Sequence, residues 1–432
     1  MKKHVVIIGA NFAGLSAASQ LAAKSCAGKN EYQVSVIDSN PDFEWTPNIH
    51  EILSGIKNRK ALSLSRPAIL SRLNQKFIED EVCAIDINNK SIELKSHDPV
   101  RFDACLIATG QVMNTRGIDS LEHKAFGFKT GNEVNRLRAE IEARTGRGKP
   151  LRLTLVGGGF SGVEALGELV RHYRHDKGLQ ITMVEPSARL LNGLPDVVSR
   201  DVVDLASKES VSFSFGSRVT ALSANTLTLE NGKEIHSDIV VWTAGNRLPD
   251  FLCHEFATPG ATGINVNPFL QVAEHPDVFV AGDAAGFSPP LRKQAYHAMD
   301  MGVAAGRNIA RHLAGQPMRA FVPQEKPIAL AFGDMNTYLI QGETVFASPV
   351  LAAAKEAVYQ LYMSQLSASL PITEIGLGMA DRLTGSVRHL LLPEMAKLKL
   401  LATVRKSRVL QWGERKDMES MVKAMISSIM PA

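Results

Sequence analysis

Cysteine is scarce. The 432 residues hold four, Cys26, Cys83, Cys105 and Cys253, and no two are spaced as C-x-x-C, as C-x₄-C or as a metal-ligand cluster. No disulfide framework and no metal site is therefore expected, and a reducing compartment fits better. Excess charge of one sign is also missing. Lys and Arg total 48 against 44 for Asp and Glu, a net charge of +4, so composition gives no nucleic-acid footprint. No stretch reaches about 18 uncharged apolar residues, which argues against a spanning helix. Met1-Lys2-Lys3 before an apolar run, with Ala22-Ala23-Lys24-Ser25-Cys26 after it, imitates an export signal. A strand, a phosphate-binding turn and a helix account for the same residues without remainder.

What is present is a repeated βαβ pattern. Val5-Val6-Ile7-Ile8 is a short continuous apolar run, as for a strand buried on both faces of a parallel sheet. A turn follows at Gly9–Gly14, then a helical stretch over Leu15–Lys24, then a strand at Gln33–Asp38. The pattern returns with a strand at Leu153–Val156, a turn at Gly157–Gly162, a helix over Val163–Tyr173 and a strand at Ile181–Glu185. Arg101–Gly110 reads as a strand ending in Ala108-Thr109-Gly110, and Ile239–Gly245 as its counterpart ending in Thr243-Ala244-Gly245. Val278–Ala281 is another buried strand, closing on Gly282-Asp283, and Arg292–Leu313 has helical spacing. From about Phe321 the pattern changes to short strands such as Tyr338-Leu339-Ile340 and an apolar-basic end.

The turns carry the chemistry. A G-x-G-x-x-G turn lets backbone N–H groups approach a pyrophosphate at a helix N-terminus. Gly157-Gly158-Gly159-Phe160-Ser161-Gly162 fits fully, whereas Gly9-Ala10-Asn11-Phe12-Ala13-Gly14 has Asn11 at the second glycine, a residue that tolerates positive φ. A carboxylate ending the second strand takes ribose hydroxyls, and Asp38 and Glu185 both stand there. Asp283, after a buried strand, faces a sheet's ligand crevice, where it can bond the ribityl chain of a flavin or cap the next turn.

In this order, Gly9–Gly14, Asp38, Ala108-Thr109-Gly110, Gly157–Gly162, Glu185 and Gly282-Asp283 resemble the two-dinucleotide-binding-domain flavoproteins. The resemblance implies an α/β fold of two nested Rossmann-like domains. FAD would lie non-covalently on residues 1–112 and 246–325, NADH (alternatively NADPH) on 113–245, with a C-terminal α+β or helical region at 326–432. The implied FAD contacts are Gly9, Asn11, Phe12, Ala13, Gly14, Asp38, Val82, Ala108, Thr109, Gly110, Gly282, Asp283 and Lys293. Those to the nicotinamide nucleotide are Gly157, Gly159, Phe160, Ser161, Gly162, Glu185, Ala244 and Gly245. Disulfide reductases need a cysteine pair that this chain lacks, and Cys105 inside a strand with Cys253 in a loop does not suit the pair of sulfide:quinone reductases. What remains resembles type II NADH dehydrogenases and apoptosis-inducing-factor-like NADH:quinone oxidoreductases. Lys293-Gln294-Ala295-Tyr296-His297-Ala298 is similar to a Lys-x-Ala-Tyr segment of the latter, whereas the former usually show Ala-Gln where Ala295-Tyr296 stands here. A ferredoxin- or rubredoxin-type reductase, a sulfide:quinone reductase-like enzyme and an NADH-sensing flavoprotein of the apoptosis-inducing-factor type are the alternatives.

Two catalytic residues are expected. Lys293, with the N-terminus of the helix near Arg292, would stabilise negative charge on the flavin. The resemblance puts Glu164 near nicotinamide and flavin, where it would relay protons to a quinone. Glu185 should favour NADH by repelling a 2′-phosphate. Trp45 and Pro47, with Tyr296 and Phe332 opposite, are candidate walls of the acceptor cavity. Residues 382–416 carry nine basic and two acidic side chains, net +7, against +4 for the whole chain. Leu391, Met395, Leu398 and Ala402 repeat on one helical face, with Trp412 nearby. A basic amphipathic helix of this kind lies in a membrane plane. The expectation is a peripheral protein on the cytoplasmic face; the alternative packs that helix on the protein's own core or on a homodimer partner.

Overall fold

The computed structural model describes residues 2–26, 32–145, 150–176, 178–256, 261–367, 407–413 and 421. Two parallel sheets organise it. The first runs, by strand, Gln271–Val272, His275–Val280, Ala104–Ile107, Lys3–Ile8, Tyr32–Asp38 and Lys76–Glu79. Every neighbouring pair is parallel except the first. The second runs Ala125–Phe126, Ile239–Trp242, Leu151–Val156, Leu179–Glu185 and Ser212–Phe215, parallel throughout. Strands from both ends of the sequence thus enclose a sheet drawn from its middle. Val5, Val6 and Ile7 at 0% exposure, and Leu155 likewise, show why these runs contain no polar alternation: helices cover both faces.

Helix α1 (Phe12–Cys26) and helix α2 (Phe160–Tyr173) follow the two equivalent strands. Both begin three residues earlier than the apolar spacing indicates. The turn itself winds into the first helical turn, so Phe12 and Phe160 are already helical. Registers match too: Lys3 pairs with Tyr32 and Ile8 with Ile37, as Leu151 pairs with Leu179 and Val156 with Val184. Gly9 and Gly157 have φ of +94° and +108°, where a side chain would be strained. A Cβ on Gly14 would lie 1.9 Å from Gly9 O, and one on Gly162 the same distance from Gly157 O. The last glycine of each turn is required by backbone contact.

The expected strand over Arg101–Gly110 divides in two. Val100–Arg101 pairs with Ser91–Leu94 in a small antiparallel sheet, and only Ala104–Ile107 joins the main one. Helix α3 (Ala295–Leu313) starts after Lys293, not at Arg292. Its Gly302 packs so closely on α1 that a Cβ would sit 2.2 Å from Ala13 O. Cys253 lies in the helix Asp250–Phe256, buried, not in a loop. An antiparallel sheet follows, ordered Ile328–Phe332, Asn336–Gln341, Thr344–Ala347 and Arg408–Gln411, with helix α4 (Leu351–Ser367) between its last two strands. Leu391, Met395, Leu398 and Ala402, and residues 382–406 and 414–416 generally, lie outside the described residues. Within the described part of that basic segment, 407–413, Arg408–Gln411 is an edge strand and not a helix, because it pairs with Thr344–Ala347.

Candidate active site

The two phosphate-type turns open into one cavity of about 1260 Å³, larger than the roughly 300–1,000 Å³ of a site for one small ligand. Asn11, Phe12, Ala13, Ala108, Thr109, Gly110, Gly282, Asp283 and Lys293 line it from the first sheet's side. Gly157, Gly159, Phe160, Ser161, Glu164, Glu185, Ala244 and Gly245 line it from the second. Gly9, Gly14 and Gly162 shape the turns from behind. Asp38 and Val82 are outside the lining.

Both strand-end acids brace their own turns. Asp38 accepts from Ala10 N at 2.8 Å and Asn40 N at 3.0 Å, and pairs with the buried Arg66 guanidinium at 2.7 Å. Glu185 accepts from Gly158 N at 2.7 Å and Ser187 N at 2.9 Å. Thr243 Oγ1 donates to carbonyls of both Val156 and Gly157, locking the second turn to the neighbouring strand.

Three buried polar atoms on the cavity wall have no hydrogen-bond partner: Asn11 Oδ1, Thr109 Oγ1 and Gln294 Oε1. Buried polar groups are otherwise nearly always paired, so the wall is built for a polar ligand. Lys293 Nζ donates to the carbonyls of Asp283 at 2.6 Å and Ala285 at 3.0 Å. Burial lowers its pKa, and the charge of Asp283 opposes the shift. Lys129, which the sequence did not single out, lines the same wall and is lowered in the same way. Two partly desolvated cations facing one cavity fit an anionic dinucleotide. The residues present therefore fit FAD and a nicotinamide nucleotide.

Trp45, Pro47 and Tyr296 line the cavity. Phe332 does not: it is fully buried, and its backbone packs on Gly167 of α2. Burial pushes the Tyr296 hydroxyl well above its ordinary value. Glu164 lines the cavity in company that sequence reasoning missed. Its Oε1 accepts from Lys355 Nζ of α4 at 2.5 Å and from Ala331 N at 3.3 Å. His50 Nδ1 stands 3.5 Å from its Oε2. Beside them Lys57 lies 2.7 Å from Glu356 and 3.5 Å from Glu51, with all three side chains at 0–3% exposure. Asn48 donates to Glu51 and accepts from the Trp45 indole. The only hint in the sequence was His50-Glu51 amid the apolar 43–55 segment. Arg116 and Arg218 also face the cavity, Arg218 paired with Glu230 at 3.1 Å. Among the described residues no group of three or more His, Cys, Asp or Glu could hold a metal, and no helix is long and apolar enough to cross a membrane.

Two nested parallel sheets, each with a glycine turn on one shared cavity, define a flavoprotein of the two-dinucleotide class. Residues 3–302 match the pyridine nucleotide-disulphide oxidoreductase family, and the chain belongs to it. It is 25% identical over 400 residues to the type II NADH:quinone oxidoreductase of Staphylococcus aureus, covering 87% of this chain and 97% of that one. The fold is similar to that of NDH2 from Plasmodium falciparum in complex with NADH, with TM-score 0.74, 13% identity and coverage of 90% and 98%. It is also similar to the sulfide:quinone oxidoreductase of Aquifex aeolicus, with TM-score 0.73, 17% identity and coverage of 86% and 94%. Despite the family's description, Cys105 and Cys253 are buried and free, and Cys83 is exposed and free.

Proposed function

We propose that the chain is an FAD-dependent NADH:quinone oxidoreductase. The observation that carries this is the single cavity bordered by both turns, with three unpaired polar atoms, two partly desolvated lysines and the Glu164–Lys355 pair on its wall. On this reading residues 1–112 and 246–325 hold FAD and residues 113–245 hold NADH. Bound FAD supplies two-electron exchange between NADH and the acceptor. The N–H groups of the first turns of α1 and α2 would bind the pyrophosphates. Asp38 and Glu185 keep the turns in the shape that presents those groups, and Glu185 faces the ribose with a charge that favours NADH. Lys293 places positive charge against the isoalloxazine. Glu164, held by Lys355, handles the proton that the acceptor takes up. Trp45, Pro47 and Tyr296 give that region an apolar wall suited to a quinone.

Steady-state NADH oxidation by FAD-loaded protein, with a short-chain quinone or a reducible iron–sulfur protein as acceptor, and quinone reduction with sulfide in place of NADH as donor, test the reading. Turnover with the quinone is expected. Turnover only with the iron–sulfur protein would overturn it.

Quinones dissolve in bilayers, so the cavity mouth must reach lipid. The basic 382–416 segment is proposed to dock on the anionic inner face of a membrane. The exposed Trp412, packed edge-on to Phe346 at 5.6 Å between ring centres, belongs to this surface. Full-length protein should co-sediment with anionic liposomes at low salt and detach as salt rises. If it stays in the supernatant, a soluble acceptor replaces the membrane one, and a homodimer is the other occupant to test.

A further inference from the structure

His50 sits in the 3-10 turn Thr46–Ile52, 2% exposed, on the cavity wall. It faces two groups at once. Its Nε2 is 3.5 Å from Lys355 Nζ, and its Nδ1 is 3.5 Å from Glu164 Oε2. Lys355 in turn donates to the other oxygen of the same carboxylate, Oε1, at 2.5 Å. The three side chains close a ring. An ammonium has donors only, so Nε2 must accept from Lys355, and the imidazole proton belongs on Nδ1, aimed at Glu164.

We infer that His50 is a positioning residue for the acceptor reaction: it holds Oε2 of Glu164 and steadies Lys355 on Oε1, fixing the orientation of the carboxylate that exchanges a proton with the acceptor. This rests on the quinone-reductase reading above. The step itself is a proton transfer with no electron moved. NADH brings two electrons and one proton, so forming a quinol needs one further proton from solvent. Glu164 takes up that proton and gives it to the acceptor oxygen, returning to carboxylate. Lys355 donates to this carboxylate at 2.5 Å, and His50 Nδ1 faces its other oxygen at 3.5 Å. Removing the Nδ1 group removes one of the holds on the carboxylate, and proton delivery to the acceptor changes with it.

Other ionisable side chains surround the ring. Glu51 is next to His50, and Lys57 follows, paired with Glu51 and Glu356. Glu168 and Arg171 of α2 pair with each other at 3.6 Å. Arg59 is committed to Asp42 and Glu44, and Arg138 donates to Ile52 O and pairs with Glu142. Glu164 and Lys355 each place an atom 3.5 Å from a ring nitrogen of His50.

Three variants separate the roles. In His50→Asn the amide reaches the place of Nδ1 and keeps the donor to Glu164. In His50→Gln it reaches the place of Nε2 and loses that donor, and His50→Phe loses both. With FAD-loaded protein, the reduction of the flavin by NADH and its re-oxidation by a water-soluble quinone are timed separately across pH. The expected result is unchanged reduction in all three. In re-oxidation, the limb of the profile set by proton uptake should be displaced in Gln and Phe and stay in place in Asn. An unmoved limb in Gln and Phe, or the same displacement in all three, overturns the inference, since a residue that only packs would not distinguish them. Independently of turnover and of variant folding, ¹⁵N-histidine NMR of the wild type without cofactor should show neutral His50 protonated on Nδ1. Protonation on Nε2 refutes the ring. Wild-type protein that is reduced by NADH yet passes nothing to any quinone would sink the acceptor reading alone, and the NMR result would still stand.

Discussion

Replacing Lys57 with Met is the most demanding test of how the charged cluster behind the cavity is held. Lys57 Nζ lies 2.7 Å from Glu356 and 3.5 Å from Glu51, and also sits 4.4 Å over the Tyr359 ring. With exposures of 0%, 1% and 3%, water is not at hand to solvate what remains. Methionine has nearly the same length and removes the charge without leaving a large void, so the loss is electrostatic. Removing one partner from a buried ion pair costs about 3–5 kcal/mol. At roughly 2–4 °C per kcal/mol for a unit of 150–250 residues, the melting temperature should fall by about 10 °C. The deficit should also depend on pH. Two carboxylates left together will bind protons more readily in the folded variant than in its unfolded chain, whose carboxyls titrate near 4.3. A group whose folded affinity for protons is raised stabilises below its unfolded pKa and loses that contribution as pH rises through the folded one. The gap from wild type should therefore be widest at pH 8 and shrink towards pH 5. Thermal unfolding followed by tryptophan fluorescence at both pH values measures it, and Glu356→Gln added to Lys57→Met should recover part of the loss. A gap under about 1 kcal/mol, or one of equal size at pH 5 and 8, refutes the reasoning.

Lys293→Met should slow flavin re-oxidation or weaken FAD retention. Because burial lowers the lysine's pKa, wild-type affinity should itself decline at pH values where a free lysine is still charged. Full occupancy and wild-type kinetics in the variant would remove its role. NADH should be used at least about tenfold more efficiently than NADPH, a difference of about 1.4 kcal/mol, and equal efficiencies would discard the part assigned to Glu185. Gly162→Ala, whose Cβ would lie 1.9 Å from Gly157 O, should abolish NADH-driven flavin reduction while leaving bound FAD in place; unchanged reduction would show that the second turn is not the nicotinamide site.

The two sheets were legible because parallel strands buried on both faces leave a plain trace, as Val5–Ile8 and Leu153–Val156 do. The turns between strand and helix were legible because backbone geometry there restricts residue choice to glycine at Gly157 and Gly162. What the sequence hid depends on contacts between distant segments. Lys355 is one lysine in a helix until α4 brings it to Glu164, 191 residues away in sequence. Lys57 is likewise a loop lysine until Glu356 meets it, 299 residues on. No local periodicity encodes such pairs. Phe332 misled for the opposite reason: its apolar character suits a cavity wall and a core equally, and the close approach at Gly167 decided for the core.

The contact between Gly302 and the Ala13 carbonyl has a mechanical meaning. It joins the backbone of α3 to the first turn of α1, and Gly306 repeats the approach one turn further along, at 2.8 Å from Ala17 O for a would-be Cβ. Helices touching backbone to backbone have no side-chain cushion through which to slide. The turn at Asn11–Ala13 and the stretch at Lys293–Ala295, both on the cavity wall, are therefore parts of one stiff body. Any breathing needed to admit or release a nucleotide has to come from the opposite bank, where Phe160 stands 39% exposed at the start of α2 and the Cβ position on Gly159 meets nothing within 4 Å. On the proposed assignment, FAD would lie on the stiff half and the nicotinamide nucleotide on the half that has room to yield.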